Sequence, residues 1–62
     1  MEKKVYEIWL DNWNHPWLEC RTEDEAHANA FVKSVQGKYQ YISLYVYDAK
    51  GAILSIQTFR HQ

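Results

Sequence analysis

The chain has 62 residues, seven Lys and Arg against eight Asp and Glu, a formal net charge of −1 and a single cysteine, Cys20. That length allows one small domain, residues 1–62, whose folding removes only about 60% of the unfolded surface from water. One cysteine excludes an intrachain disulfide. Cys20, His15, His27 and His61 lack the paired spacing of a structural zinc site, and the dispersed charge lacks the basic stripe of a duplex nucleic-acid binder or a polybasic membrane anchor. Of the usual compensations for a small core, oligomerisation remains open.

Lys4 to Asp11 alternates, with Tyr6, Ile8 and Leu10 on one side and Val5, Glu7 and Trp9 on the other, which predicts a strand. It leads directly from the start of the chain, so no signal peptide is expected there. Asp11-Asn12-Trp13-Asn14-His15-Pro16 is a polar turn segment closed by proline. Trp17 to Arg21 alternates again. The expectation is Leu18 and Cys20 toward the core, Trp17, Glu19 and Arg21 away from it, and a hairpin joining the first two strands.

Thr22-Glu23-Asp24-Glu25 has the spacing of a capping box, in which Thr22 and Glu25 satisfy each other's backbone N–H groups. The helix expected over about 23–36 carries Ala28, Phe31, Val32 and Val35 at i, i+3, i+4 and i+7, one apolar stripe. Gly37 suits the left-handed position that ends it. Lys38 to Tyr47 alternates Gln40, Ile42, Leu44 and Val46 with Tyr39, Tyr41, Ser43, Tyr45 and Tyr47. Asp48-Ala49-Lys50-Gly51 predicts a type I turn with Gly51 left-handed, as in a G1 bulge. The last strand, about 52–60, sets Leu54, Ile56 and Thr58 against Ile53, Ser55, Gln57 and Phe59. Arg60-His61-Gln62 is expected to fray.

The order is β-β-α-β-β, an α+β fold. A four-stranded antiparallel sheet in the order 2-1-3-4, with the helix on one face, keeps every neighbouring pair antiparallel. The helix stripe then covers the aliphatic side of the sheet. The other side gathers Trp9, Trp17, Tyr39, Tyr41, Tyr45, Tyr47 and Phe59, with Glu7, Glu19 and Arg21 among them. Ten aromatic residues in a chain this short exceed what one helix can bury.

Thr22, Asp24, Glu25 and Ala26 form a Thr-x-Asp-Glu-Ala helix start between two strands. In this respect the chain resembles small phage-encoded inhibitor and binding modules with a β-β-α-β core. The resemblance covers about residues 17–47 and carries over no functional residue. The added fourth strand and the aromatic sheet face depart from it. It implies a small phage or bacterial protein that acts by binding, such as an inhibitor of a host protein.

The residues themselves point the same way. Tyrosine is a good strand residue with a polar tip, and paired rings stabilise a sheet, which accounts for one or two of them. Four tyrosines on one strand with Trp9, Trp17 and Phe59 beside them are the composition of an interaction face. The expected partners are a protein or a second copy of this chain in a homodimer. Trp13 and His15 are further candidate partner contacts, against the alternative that Trp13 folds onto the sheet rim. Single-stranded nucleic acid stacked on the same rings is the other reading, opposed by Glu7 and Glu19 and by the lack of an RNP-like motif. No catalytic group, metal site or cofactor is expected. His15 has no Ser or Cys nucleophile beside it, Cys20 reads as an inert core thiol, and both glycines serve turns. No apolar run approaches the ~18 residues of a membrane span, and a lone free thiol fits a reducing cytoplasm.

Overall fold

The computed structural model describes residues 3–60. Four strands and one helix follow in the expected order: β1 Val5–Asn12, β2 His15–Thr22, α1 Glu25–Val35, β3 Tyr41–Tyr47 and β4 Ile53–Arg60. They form one antiparallel sheet ordered β2-β1-β3-β4. The smallest dimension of the molecule is 16 Å, the thickness of one helix on one sheet. Among the described residues no helix is long and apolar enough to cross a membrane. The expected fraying concerned residues 60–62; Arg60 is paired with Tyr41, and His61 and Gln62 lie outside the described residues.

The core is built from three neighbouring elements. Tyr6, Ile8 and Leu10 of β1 meet Ile42 and Leu44 of β3, and Ala28 and Val32 of α1 close over them. Ile8, Leu10 and Ala28 are fully buried. Phe31 and Val35 complete the helix stripe as partly buried neighbours. Burying aliphatic side chains of this size contributes roughly 1.5–3 kcal/mol each, which is why the stripe, rather than helix propensity, holds an 11-residue helix.

The helix starts two residues later than the sequence suggests. Asp24, not Thr22, is the N-cap: its carboxylate accepts from the N–H groups of Ala26 and His27 at 3.0 and 3.4 Å. Thr22 instead accepts from the N–H of Asp24 at 3.1 Å. Glu25 is not the capping-box partner but the acceptor of the Tyr6 hydroxyl at 3.2 Å. An aspartate one step before the first helical residue outcompetes the threonine because its oxygen reaches two orphan donors at once. The helix ends at Gln36 and Gly37, where Lys38 N–H reaches the Val35 carbonyl at 3.0 Å and Gly37 takes φ 84°. With Gln36 at φ −59° and ψ 134°, this is a type II turn, which needs glycine at its third residue.

Both hairpins close tightly. Asp48 accepts from the Lys50 and Ala52 N–H groups at 2.8 and 2.9 Å, and Gly51 N–H reaches the Asp48 carbonyl at 3.0 Å with φ 89°. This is the expected turn with its G1 bulge. The first hairpin is tighter than the six-residue segment suggested. Asn12 pairs with His15, and only Trp13 and Asn14, at φ 58° and 63°, lie between them. Two central residues with positive φ are the type I′ signature.

Two β-bulges then decide which way β2 and β4 face. In β2, Leu18 pairs with Trp9 but Cys20 pairs with Ile8, so Glu19 is an extra residue. In β4, Ile53 pairs with Tyr47 but Ser55 pairs with Val46, so Leu54 is extra. Each insertion reverses the alternation beyond it. Trp17, opposite Leu10, and Phe59, opposite Ile42, therefore sit on the helix side. Leu18, opposite Trp9, and Ile56, opposite Tyr45, sit on the uncovered side. The sequence reading of these four positions is corrected accordingly.

Asp24→Ala is expected to cost about 1 kcal/mol of stability, read as a lower urea midpoint at unchanged slope, and Thr22→Ala less than that. A second outcome concerns Tyr6. Burial pushes its phenol above the ordinary value of 10.0, and the hydrogen bond and negative charge of Glu25 push the same way. A group whose folded-state value is raised contributes stability that is complete below its unfolded value and is lost as pH rises through the folded one. Denaturant titrations should show stability falling above about pH 10, with a shallower fall in Tyr6→Phe.

Candidate functional site

The uncovered side of the sheet is a continuous surface. β1 contributes Val5, Glu7, Trp9 and Asp11. β3 contributes Tyr41, Ser43, Tyr45 and Tyr47. Leu18 and Arg21 lie along β2, and Ile53, Ile56, Thr58 and Arg60 along β4.

Its centre is a row of rings. Trp9 meets Tyr45 edge-on with centroids 6.4 Å apart, and Tyr45 stacks on Tyr47 at 6.3 Å with planes 13° apart. Glu7 sits among them: it accepts from the Trp9 indole at 3.2 Å and faces the Arg21 guanidinium at 3.5 Å. Burial pushes the Tyr47 phenol above its usual value, and the negative charge of Glu7 adds to this while Arg21 opposes it. At the rim, the Arg60 guanidinium lies 5.7 Å from the centre of the Tyr41 ring, a cation–π contact.

These contacts change the character of the surface. Trp9, Tyr41, Tyr45 and Tyr47 are each half-buried, because the rings and their charged neighbours cover one another. The apolar groups most exposed to water are Trp13, Leu18, Ile53, Leu54 and Ile56. A depression of about 470 Å3 lies in the ring row, walled by Trp9, Asp11, Pro16, Ser43, Tyr45 and Tyr47. One carboxylate oxygen of Asp11 is buried there without a hydrogen-bond partner. A buried acceptor without a donor is uncommon in folded chains.

Of the nine candidate partner residues, Trp9, Tyr41, Tyr45 and Tyr47 are together on this face. Trp17, Tyr39 and Phe59 are not. All three pack partly buried against the core from the helix side, and Trp17 meets Tyr39 edge-on at 5.8 Å. The Trp17 indole donates to the Glu19 carboxylate. These rings extend the small core beyond the reach of the helix stripe. Cys20 is half-buried on the same side, as expected.

Trp13 and His15 belong to the hairpin tip, where both are exposed. Trp13 does not fold onto the sheet: 78% of its surface is open. Its left-handed backbone is unusual for a bulky residue and costs roughly 1–2 kcal/mol. The strain is held by an interlock the sequence reading did not anticipate. Asn12 accepts from the Gln40 N–H at 3.0 Å, and Gln40 accepts from the Trp13 N–H at 3.2 Å. Half-buried Asn12 and exposed Gln40 are side-chain amides 28 residues apart, and nothing in their local sequence announces the pair. It also takes Gln40 out of the strand face on which alternation placed it, since β3 begins at Tyr41.

His15 is not among the walls of the ring depression, and no group of three His, Cys, Asp or Glu comes together among the described residues. What the face can do is stack, bury apolar area and accept hydrogen bonds.

Trp13→Asn replaces a poor left-handed residue with a good one and is expected to raise stability by about 1 kcal/mol, measured as a higher denaturation midpoint. Loss of stability would mean that the Trp13 ring is anchored by contacts that outweigh its backbone. No protein-family model, no curated protein and no solved structure matches this chain.

Proposed function

We propose that the chain is a non-enzymatic protein-binding module that docks a partner chain on its open sheet face, and that it also associates with itself. The observation that carries this is the face itself: Trp9, Tyr45 and Tyr47 in one row, bordered by exposed Leu18, Ile53 and Ile56, with nothing among the described residues covering them. Tyr and Trp are the side chains that dominate interface energetics, because they bury large areas at little cost in conformational freedom. In the cell, such a module serves to occupy another protein's surface, and a small phage or bacterial inhibitor of a host protein is the setting we favour, in the cytoplasm.

Single-stranded nucleic acid is the second reading, and the same rings favour it. The charge does not. Glu7 lies in the middle of the row, and of the two arginines on the face Arg21 is engaged with Glu7 and Arg60 with Tyr41.

Tyr41→Glu and Tyr45→Glu place a carboxylate on the face without touching the core. Immobilised wild-type chain should retain a discrete partner protein from the cells that make it. The two variants should lose it with unchanged helix signal in circular dichroism, while Asn29→Glu, on the exposed side of α1, should retain it. Equal retention by all four proteins would refute the open face as the docking surface. Binding of a fluorescent single-stranded oligonucleotide that weakens with salt would favour the second reading instead.

A further inference from the structure

The two edges of the sheet are built differently. The outer edge of β2 is guarded: it carries Pro16, which has no N–H to offer, the bulge at Glu19, and the charged Glu19 and Arg21. Proline, bulges and charges are the devices by which sheet edges resist pairing with another chain. The outer edge of β4 has almost none of them. From Ile53 to Phe59 it reads Ile-Leu-Ser-Ile-Gln-Thr-Phe, with no charge, no proline and no glycine. Every residue of β4 except Phe59 is exposed. Three of the five most exposed large apolar side chains of the molecule, Ile53, Leu54 and Ile56, belong to it. Among the described residues the helix packs on β1 and β2, and so leaves β4, apart from Phe59, uncovered on its other side as well.

We infer that β4 is the contact between two copies of this chain, which join edge to edge in antiparallel fashion and continue the sheet across a twofold axis. This goes beyond the docking of a partner on the open face and fixes where self-association occurs. The occupant is a second copy because the strand is complementary to itself. A twofold axis perpendicular to the sheet pairs residues that point to the same side, so the pairing centres on a residue rather than between two. The bulge at Leu54 confines the regular run to Ser55–Arg60. Centred on Gln57, that run sets Ile56 opposite Thr58 on the open side and Ser55 opposite Phe59 on the helix side, and Arg60 falls opposite Leu54. No like charges meet.

The guarded β2 edge adds a consequence. With one free edge per chain, the pairing closes as a dimer and does not propagate into a fibre. In that dimer both open faces lie on one side and both helices on the other, so the ring rows remain available to a partner. The pairing also supplies the oligomeric compensation that a core of this size calls for.

Amide exchange and solution mass test this on the intact chain. Comparing dilute with concentrated protein, β4 amides should exchange more slowly at high concentration, and β2 amides should not change. Gln57→Lys and Gln57→Glu lie on the helix side of β4, away from the ring row, and each sets two like charges directly opposite across the axis. Each should weaken the dimer by about fivefold in sedimentation equilibrium, while Tyr45→Glu leaves it intact. A dimer that survives both Gln57 variants, or that is lost in Tyr45→Glu alone, overturns the edge contact and moves self-association to the open face. A monomer at every concentration overturns it too, and leaves partner docking on the open face standing. Should a Gln57 variant fail to fold, the concentration dependence of β4 exchange in the wild-type chain still decides the matter.

Discussion

Two extra residues, Glu19 in β2 and Leu54 in β4, set the composition of both faces of the sheet. In a strand the side chains alternate, so one inserted residue turns everything beyond it over. Without the insertion in β4, Ile56 would face the helix side and Phe59 would join the tyrosines. With it, Phe59 extends the core and Ile56 stands in water beside Tyr45. The bulge at Glu19 lets Trp17 and Cys20 both face the helix side although three positions separate them. The molecule thus gains two large rings, Trp17 and Phe59, for a core that has only one short helix to complete it.

That helix is the second constraint. Eleven residues give a cylinder about 16 Å long and roughly 10 Å wide, while four strands about 4.8 Å apart make a sheet wider than this. α1 lies over β1 and β2, and its stripe closes on Ile8, Leu10, Ile42 and Leu44. Among the described residues β4 is left with no helix above it and no strand on its outer edge. The open face and the β4 edge follow from the same shortfall of covering structure. They differ in how they meet water. The rings of the open face shield one another and keep a charged network around Glu7. The aliphatic side chains of β4 have no such shield.

Much of the architecture was legible in the sequence. Period-two alternation in residues 4–11 and 39–47, the apolar stripe Ala28, Phe31, Val32 and Val35, and the turn chemistry of Gly37 and Asp48–Gly51 identify the elements, and neighbour rules then give the strand order 2-1-3-4. The facing of β2 and β4 was not legible. Glu19 and Leu54 are ordinary strand residues, and a bulge leaves no composition mark unless it needs glycine. β4 is exposed on both sides, so apolar and polar residues occur on each and alternation carries no information there. The hairpin tip misled for a different reason. Pro16 and four polar neighbours suggest a long loop, and a tryptophan is an unlikely occupant of a left-handed turn position. The candidate site was accordingly half legible: Trp9, Tyr41, Tyr45 and Tyr47 stand together as their strands predicted, whereas Trp17, Tyr39 and Phe59 serve the core.

The composition of the open face rests on the bulges, so the most direct measurement is of side-chain proximity across the β3–β4 ladder. Nuclear Overhauser spectra of the chain in solution should connect the Tyr45 ring with the Ile56 methyl groups, and the Phe59 ring with Ile42. Contacts of the Phe59 ring with Tyr41 or Tyr45, together with contacts of Ile56 with the core, would show an uninterrupted β4 and contradict the account of both faces.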